Sequence, residues 1–97
     1  MVRKNPKLRK QEILEAAVRV AARDGYMSMQ RIKIAEEAQC ADGLIGHYWT
    51  MPQLRRSVLR YAVKNKVFPV IVQAIGNGDK YIKRISKELR QEALNSI

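Results

Sequence analysis

The sequence has few of the residues that build catalytic, metal-binding or disulfide-stabilised sites. It contains one cysteine, Cys40, and one histidine, His47. A single cysteine cannot form a disulfide within the chain, and a lone histidine gives no basis for a metal site or a Ser–His triad. The sequence also has no glycine-rich phosphate loop and no acid–base pair of carboxylates. We therefore predict that the chain is not an enzyme and uses no metal ion or other cofactor.

Long apolar segments are also scarce. The most apolar run, residues 67–75, is too short to cross a bilayer and contains Pro69 and Gln73. The basic start MVRKNPKLRK has no apolar stretch behind it, so it does not read as a secretory signal. We expect a cytoplasmic protein that does not bind membranes.

Acidic residues are few relative to basic ones. The chain has 9 Asp and Glu residues against 19 Lys and Arg residues, a formal net charge of +10. Such an excess predicts attraction to a polyanion, of which nucleic acid and an anionic membrane surface are the usual candidates. The alternative is a basic protein that is merely soluble. The 97 residues suffice for one domain with a modest core, so we treat 1–97 as a single domain.

The N-terminal half has the pattern of three helices. Asn5 and Pro6 suit the start of a first helix, and Gly25 suits its end. Between them, apolar residues recur at helical spacing, namely Ile13, Ala17, Val20 and Ala21. Residues 28–49 then predict two short helices joined by a tight turn at 39–41. This is a helix-turn-helix, whose second helix can enter a DNA major groove.

Three stretches of this half carry a family resemblance. In order along the chain they are ILEAAVRVAARDGY, IAEEA and HYW. Together they resemble the N-terminal DNA-binding domain of the TetR family of transcriptional regulators, over about residues 10–60. The resemblance implies an all-α fold, in which residues 10–50 form a three-helix helix-turn-helix core and two or three C-terminal helices extend it.

The resemblance also implies how such a protein works. It implies a homodimer that binds an inverted-repeat operator in double-stranded DNA, with repression as the expected outcome. Family members usually continue into a large helical domain that holds an inducer ligand. The present sequence has little room for an enclosed pocket, so we expect no small-molecule inducer.

The sequence departs from the family pattern near the turn. Gln39 stands at the turn glycine, which predicts a left-handed backbone there. Ala41 replaces a capping serine, so Asp42 is expected to cap the second helix. Leu44 stands where family members often have a polar residue that faces bases, and Gly46 stands where a tyrosine often binds phosphate.

Residues 1–9 are predicted to form a basic arm. Its Lys and Arg residues have no acidic neighbour, so the arm could lie along phosphates or reach into a minor groove. The alternative is a solvated, disordered terminus.

The predicted base contacts come from the start of the motif's first helix and from its second helix. Arg31 can reach a guanine, Leu44 can pack on a thymine methyl group and Asp42 can accept from a cytosine amino group. His47 and Tyr48 can donate to phosphate oxygens, although each is more often an ordinary surface or core residue. The full predicted DNA-contacting set is Arg3, Lys4, Lys7, Gln30, Arg31, Lys33, Asp42, Gly43, Leu44, His47, Tyr48 and Thr50.

Residues 51–97 are predicted to form C-terminal helices that dimerise. The pattern predicts a helix over 52–68, a break or kink at Pro69, a short buried helix over 70–75 and a last helix over 80–95. Thr50 and Asp79 are the expected caps of the first and last of these helices.

The last helix has a narrow apolar stripe. Such a stripe suits a seam against another helix, and the alternative is packing on its own domain. The predicted dimer contacts are Val70, Ile71, Ile75, Ile82, Ile85 and Leu89.

These patterns together predict a small sequence-specific DNA-binding protein, a transcriptional regulator that acts as a homodimer. Two other classes stay open because of Leu44 and Gly46. One is a nucleic-acid-binding accessory or architectural protein with little sequence preference, which would bind mainly phosphates. The other is a protein-interaction module that reuses the fold and meets an acidic protein with its basic faces.

Overall fold

The first helix begins and ends where the sequence indicates. In the computed structural model, which describes residues 5–97, α1 spans Pro6–Asp24. The side chain of Asn5 accepts a hydrogen bond of 2.8 Å from the backbone N–H of Lys7, and Gly25 follows the helix with a φ of 112°. Both predicted ends of this helix are confirmed.

The predicted basic arm over 1–9 is too long. Residues 6–9 belong to α1, because Asn5 caps the helix and Pro6 has the φ that its first turn requires. Lys7 is therefore a helical residue. Arg3 and Lys4, which complete the predicted arm, lie outside the described residues.

The helix-turn-helix follows a short 3-10 turn at Tyr26–Ser28. Its two helices are α2 (Arg31–Ala38) and α3 (Asp42–Tyr48). The predicted capping role of Asp42 is wrong, because Ala41 occupies the cap position and makes no side-chain bond there. Asp42 is the first residue of α3, and its carboxylate instead pairs with an arginine of α2.

The helix α4 (Met51–Asn65) ends three residues earlier than predicted. Thr50 caps it as expected, and Gln53 completes a reciprocal capping box. Lys66 then turns the chain with a left-handed φ of 56°, so the break precedes Pro69. Pro69 lies in the first turn of α5 (Phe68–Gly76), where its missing N–H would have had no helical partner.

The predicted last helix over 80–95 is two elements. A 3-10 turn at Lys80–Arg84 is capped by Asp79, and α6 (Lys87–Asn95) follows it. Ser86 causes the interruption, because its hydroxyl accepts the backbone N–H of Leu89 at 3.1 Å and starts a new helix.

The core is centred on α1, which packs against α2, α4 and α5, while α5 also packs against α6. Fully buried side chains from four of these helices meet there, among them Ile13, Val20, Ile34, Leu54, Val58, Val70 and Ile71. The fold is therefore all-α, with six α-helices and no strand within residues 5–97.

Three of the six predicted dimer contacts belong to this core. Val70 and Ile71 are fully buried and Ile82 is 6% exposed, so none of the three is available to a second chain. They are buried because α5 and the 3-10 turn after it cover the rest of the same domain. The other three, Ile75, Ile85 and Leu89, are half-buried against the core.

The molecule is elongated, with principal extents of 45 × 23 × 21 Å. Within the range 5–97, none of the helices combines the length and the apolar character needed to cross a bilayer.

Candidate nucleic-acid interface

The helix α3 has one buried face and one open face. Ile45 is fully buried and packs in the core that also holds Ile34 and Ala35 of α2. Trp49, the residue after α3, is 9% exposed and closes the same core. Because this packing orients α3, its other face, with Gly43 at its centre, is left open to solvent.

The turn between α2 and α3 has the backbone expected of a helix-turn-helix. Gln39 is left-handed, with φ 55° and ψ 48°, which confirms the prediction for this position. The backbone N–H of Cys40 donates to the carbonyl of Ala35 at 3.0 Å, and Cys40 is half-buried against the core. The conformation is therefore reached without glycine, at a cost that a non-glycine residue bears in this region of φ and ψ.

The start of α1 lies beside both ends of α3. The guanidinium of Arg9 donates to the carbonyl of Gln39 at 3.4 Å, just before α3. The ammonium of Lys10 lies 5.3 Å from the ring centroid of Trp49, just after α3. Lys7 is exposed one helical turn before Lys10. The fold thus brings the cations at the start of α1 next to both ends of α3, although α3 lies further along the chain.

Arg31 and Asp42, two predicted base-reading residues, bind each other. Their side chains form an ion pair of 2.8 Å between Nε and Oδ1, with each about half exposed. A Cβ added at Gly46 would lie 3.0 Å from Nη1 of Arg31. The guanidinium therefore crosses the surface of α3 where a side chain at position 46 would stand.

This pairing was not predicted from the sequence. Arg31 and Asp42 are eleven positions apart on different helices, so no local spacing rule relates them. The one available signal was the glycine at position 46, because the absence of a side chain there makes room for a group from the neighbouring helix.

Leu44 and Tyr48 do not stand on the open face. Both are half-buried and pack against the core, so the core-facing side of α3 includes Leu44 and Tyr48 as well as Ile45. Leu44 is therefore held inward, away from the position that the predicted thymine contact requires. The rings of Tyr48 and His47 meet edge to face with centroids 5.3 Å apart, and His47 remains exposed.

The remaining predicted contacts lie at helix starts. Gln30 occupies the cap position of α2 without a side-chain capping bond, and Lys33 is exposed one turn further on. Thr50 is exposed, but its hydroxyl accepts the backbone N–H of Gln53 at 3.3 Å, so it is already engaged in the cap of α4.

Two acidic residues, Glu37 of α2 and Asp24 of α1, are paired with arginines at the C-terminal end of α1. Glu37 of α2 accepts hydrogen bonds from Arg23 and then Arg19 of α1, and these bonds lower the pKa of its carboxyl group. Arg23 likewise lowers the pKa of Asp24. In contrast, no ion pair with a carboxylate of residues 5–97 involves Lys7, Lys10 or Lys33. Lys10 therefore adds positive charge beside the end of α3, whereas Lys33 lies near enough to Asp24 to help lower the pKa of its carboxyl group.

The described part of the chain has no cluster of three or more His, Cys, Asp or Glu side chains that could hold a metal ion. Comparisons with protein-family models, with curated proteins and with solved structures gave no match.

Proposed function

We propose that the chain is a sequence-specific double-stranded DNA-binding protein, a transcriptional repressor that inserts α3 into the major groove. One observation carries this proposal, namely a two-helix unit with a left-handed turn whose second helix has an uncovered face flanked by cations. Gln39 makes the turn, and Lys10 and Arg9 bring the start of α1 to the two ends of α3. Helices in this arrangement present their N-terminal residues to base edges.

The size of α3 is compatible with the groove. An α-helix with its side chains is about 10–12 Å across. The major groove of B-DNA is about 12 Å wide and admits one α-helix. Gly43 would then allow a close approach of the backbone, and His47 and Lys33 would position the helix on phosphates.

We propose a homodimer because one such helix reads only part of a site. Two copies related by a two-fold axis would read two half-sites about one helical turn apart. The half-buried residues Ile75, Ile85 and Leu89 are the members of the predicted set that retain exposed apolar surface for this contact.

A second function is favoured by two contacts of the described surface. Arg31 is engaged by Asp42, and Leu44 is held against the core. Each arrangement withdraws a side chain that was predicted to contact bases. The exposed lysines are then left to bind phosphates. These features support a nucleic-acid-binding accessory protein with little sequence preference.

Selection from random duplex DNA tests the proposal. Sites are captured at near-physiological salt, and the capture is repeated at higher salt. Enrichment of an inverted repeat supports the dimeric repressor. Capture without a consensus that is lost steeply as salt rises supports the accessory protein, and no capture contradicts both.

Two variants of α2 then distinguish a side chain that contacts bases from one that contacts phosphates. Arg31→Ala is expected to reduce discrimination between a selected site and a scrambled site by about 1–3 kcal/mol if Arg31 reads a base. Lys33→Ala is the matched control and should weaken binding to both duplexes equally. If both variants act equally on the two duplexes, Arg31 does not read sequence.

A further inference from the structure

A basic cleft lies outside the helix-turn-helix. It has a volume of about 620 Å³ and opens between α4, the 3-10 turn at Lys80–Arg84 and the chain just after α1. No residue of α2 or α3 lines it. Its cationic side chains are Arg55, Arg56, Arg60, Lys80 and Arg84, and its single carboxylate is that of Asp79.

Asp79 does not neutralise these cations. One of its carboxylate oxygens accepts the backbone N–H of Tyr81 at 2.9 Å, and the other accepts the hydroxyl of Tyr26 at 3.3 Å. Among residues 5–97, none of the five cations forms an ion pair with a carboxylate. Five positive charges against one negative charge leave an excess of four in one concave site.

The arrangement of the cations costs stability in the free protein. Arg56 and Arg60 are four residues apart on the α-helix α4, and Lys80 and Arg84 belong to the facing 3-10 turn. On an α-helix, like charges at this spacing repel when no anion lies between them. A polyanion in the cleft would turn the repulsion into attraction on both sides.

We propose that this cleft binds a small molecule that carries two or more phosphate groups, such as a nucleoside diphosphate or triphosphate. Arginine guanidinium groups match phosphate oxygens in a bidentate geometry. The excess of four positive charges in the cleft is more than a ligand with a single carboxylate would balance. Met27 and Tyr81 give the cleft an apolar lining for the rest of the ligand. The volume lies within the usual range of small-molecule sites.

The test is calorimetric titration of the DNA-free protein with pyrophosphate and with ATP. The cleft variant is Arg56→Gln/Arg84→Gln. The control variant is Lys64→Gln/Lys83→Gln, which also removes one positive charge from α4 and one from the 3-10 turn, but from side chains outside the cleft. We expect saturable binding of one ligand per chain, weakened at least tenfold in the cleft variant and within twofold of the original in the control. Circular dichroism of both variants checks their folding.

Two results would overturn the proposal. They are the absence of saturable binding of either ligand at millimolar concentration, and equal weakening in the two variants. If the first is accompanied by a loss of duplex affinity in the cleft variant alone, the cleft acts only on DNA. Because the first assay contains no DNA, its failure leaves the proposed DNA-binding function untouched.

Discussion

Gly43 is the residue where stability and DNA binding are expected to move in opposite directions. No heavy atom lies within 4 Å of the place that a Cβ would occupy. Gly43→Ala should therefore stabilise α3 by about 0.5–1 kcal/mol, because alanine is the better helix former. The same methyl group would stand between α3 and the groove and should weaken duplex binding by about tenfold, equivalent to about 1.4 kcal/mol.

Gly76→Ala is the matched control for this change. Gly76 ends α5, and a Cβ there would also meet open space. Urea unfolding and duplex titration of both variants measure the two effects. Unchanged DNA affinity in Gly43→Ala would show that α3 does not approach DNA closely.

Tyr26 gives the protein a pH dependence in the alkaline range. Its side chain is 2% exposed, and burial, followed by the nearby charge of Asp79, raises the pKa of its phenol from 10.0 to about 12. The unfolded chain thus releases this proton before the folded chain does. The contribution of Tyr26 is complete below pH 10.0 and should be lost as the pH rises toward about 12.

Tyr26→Phe isolates that contribution. The variant lacks the ionisable group, so its stability should fall less than that of the original chain across the same pH interval. The measurement is denaturant unfolding at a series of alkaline pH values. Parallel stability curves for the two proteins would contradict the expected pKa.

At the scale of elements, the turn of the helix-turn-helix has a conformation that its sequence does not favour. Gln39 has a φ of 55°, which glycine adopts at no steric cost. Gln39→Gly should raise the free energy of unfolding by about 1 kcal/mol, because the strain of a left-handed L-residue is removed. The Arg9 contact would persist, since it is made to the backbone carbonyl.

Glu36→Gly provides the comparison within the same helix. Glu36 is an exposed residue of α2, where glycine should cost about 1 kcal/mol. Thermal or urea unfolding measures both changes. If both variants are destabilised, the left-handed turn is not the source of strain.

Local sequence signals predicted those helix ends whose cause is local. Asn5, Gly25 and Thr50 act within a few residues of themselves, and each stands at the predicted helix end. The end of α4 could not be predicted in this way. Lys66 carries no sequence signal for a left-handed conformation, whereas Pro69, which does signal a break, lies instead in the first turn of α5.

The candidate site was predictable in its location but not in its contacts. The sequence predicted two short helices joined by a turn over residues 28–49, and the structure has α2, a left-handed turn and α3 there. The pairing of Arg31 with Asp42 depends on how two helices cross, which spacing along the chain does not contain. The basic cleft was likewise not predicted, because α4 and the turn at Lys80–Arg84 meet only through the tertiary fold.

At the scale of the whole molecule, the two predicted parts 10–50 and 51–97 share one core. Val70 and Ile71 of α5 are fully buried in the same cluster as Ile13 of α1. The backbone N–H of Tyr26 also donates to the side-chain oxygen of Gln73 in α5. We therefore expect the described residues to unfold as one cooperative unit.

If the chain binds DNA as proposed, its net charge of +10 should make salt the main control of the affinity. If Lys7 and Lys10 each contact one phosphate, Lys7→Gln/Lys10→Gln should make the slope of log K against log salt concentration shallower by about two. Lys83→Gln/Lys87→Gln removes the same charge from exposed positions far along the chain. Titrations at several salt concentrations measure both slopes, and equal changes would indicate general attraction without a contact at the start of α1.

The position of Trp49 has an optical consequence. It is the one tryptophan of the chain, and it lies between α3 and α4 with the ammonium of Lys10 over its ring. Indole emission responds to a nearby charge, so a phosphate that draws Lys10 away should shift the fluorescence. The protein therefore has an intrinsic, label-free reporter at the proposed interface, and its signal comes from a single known site.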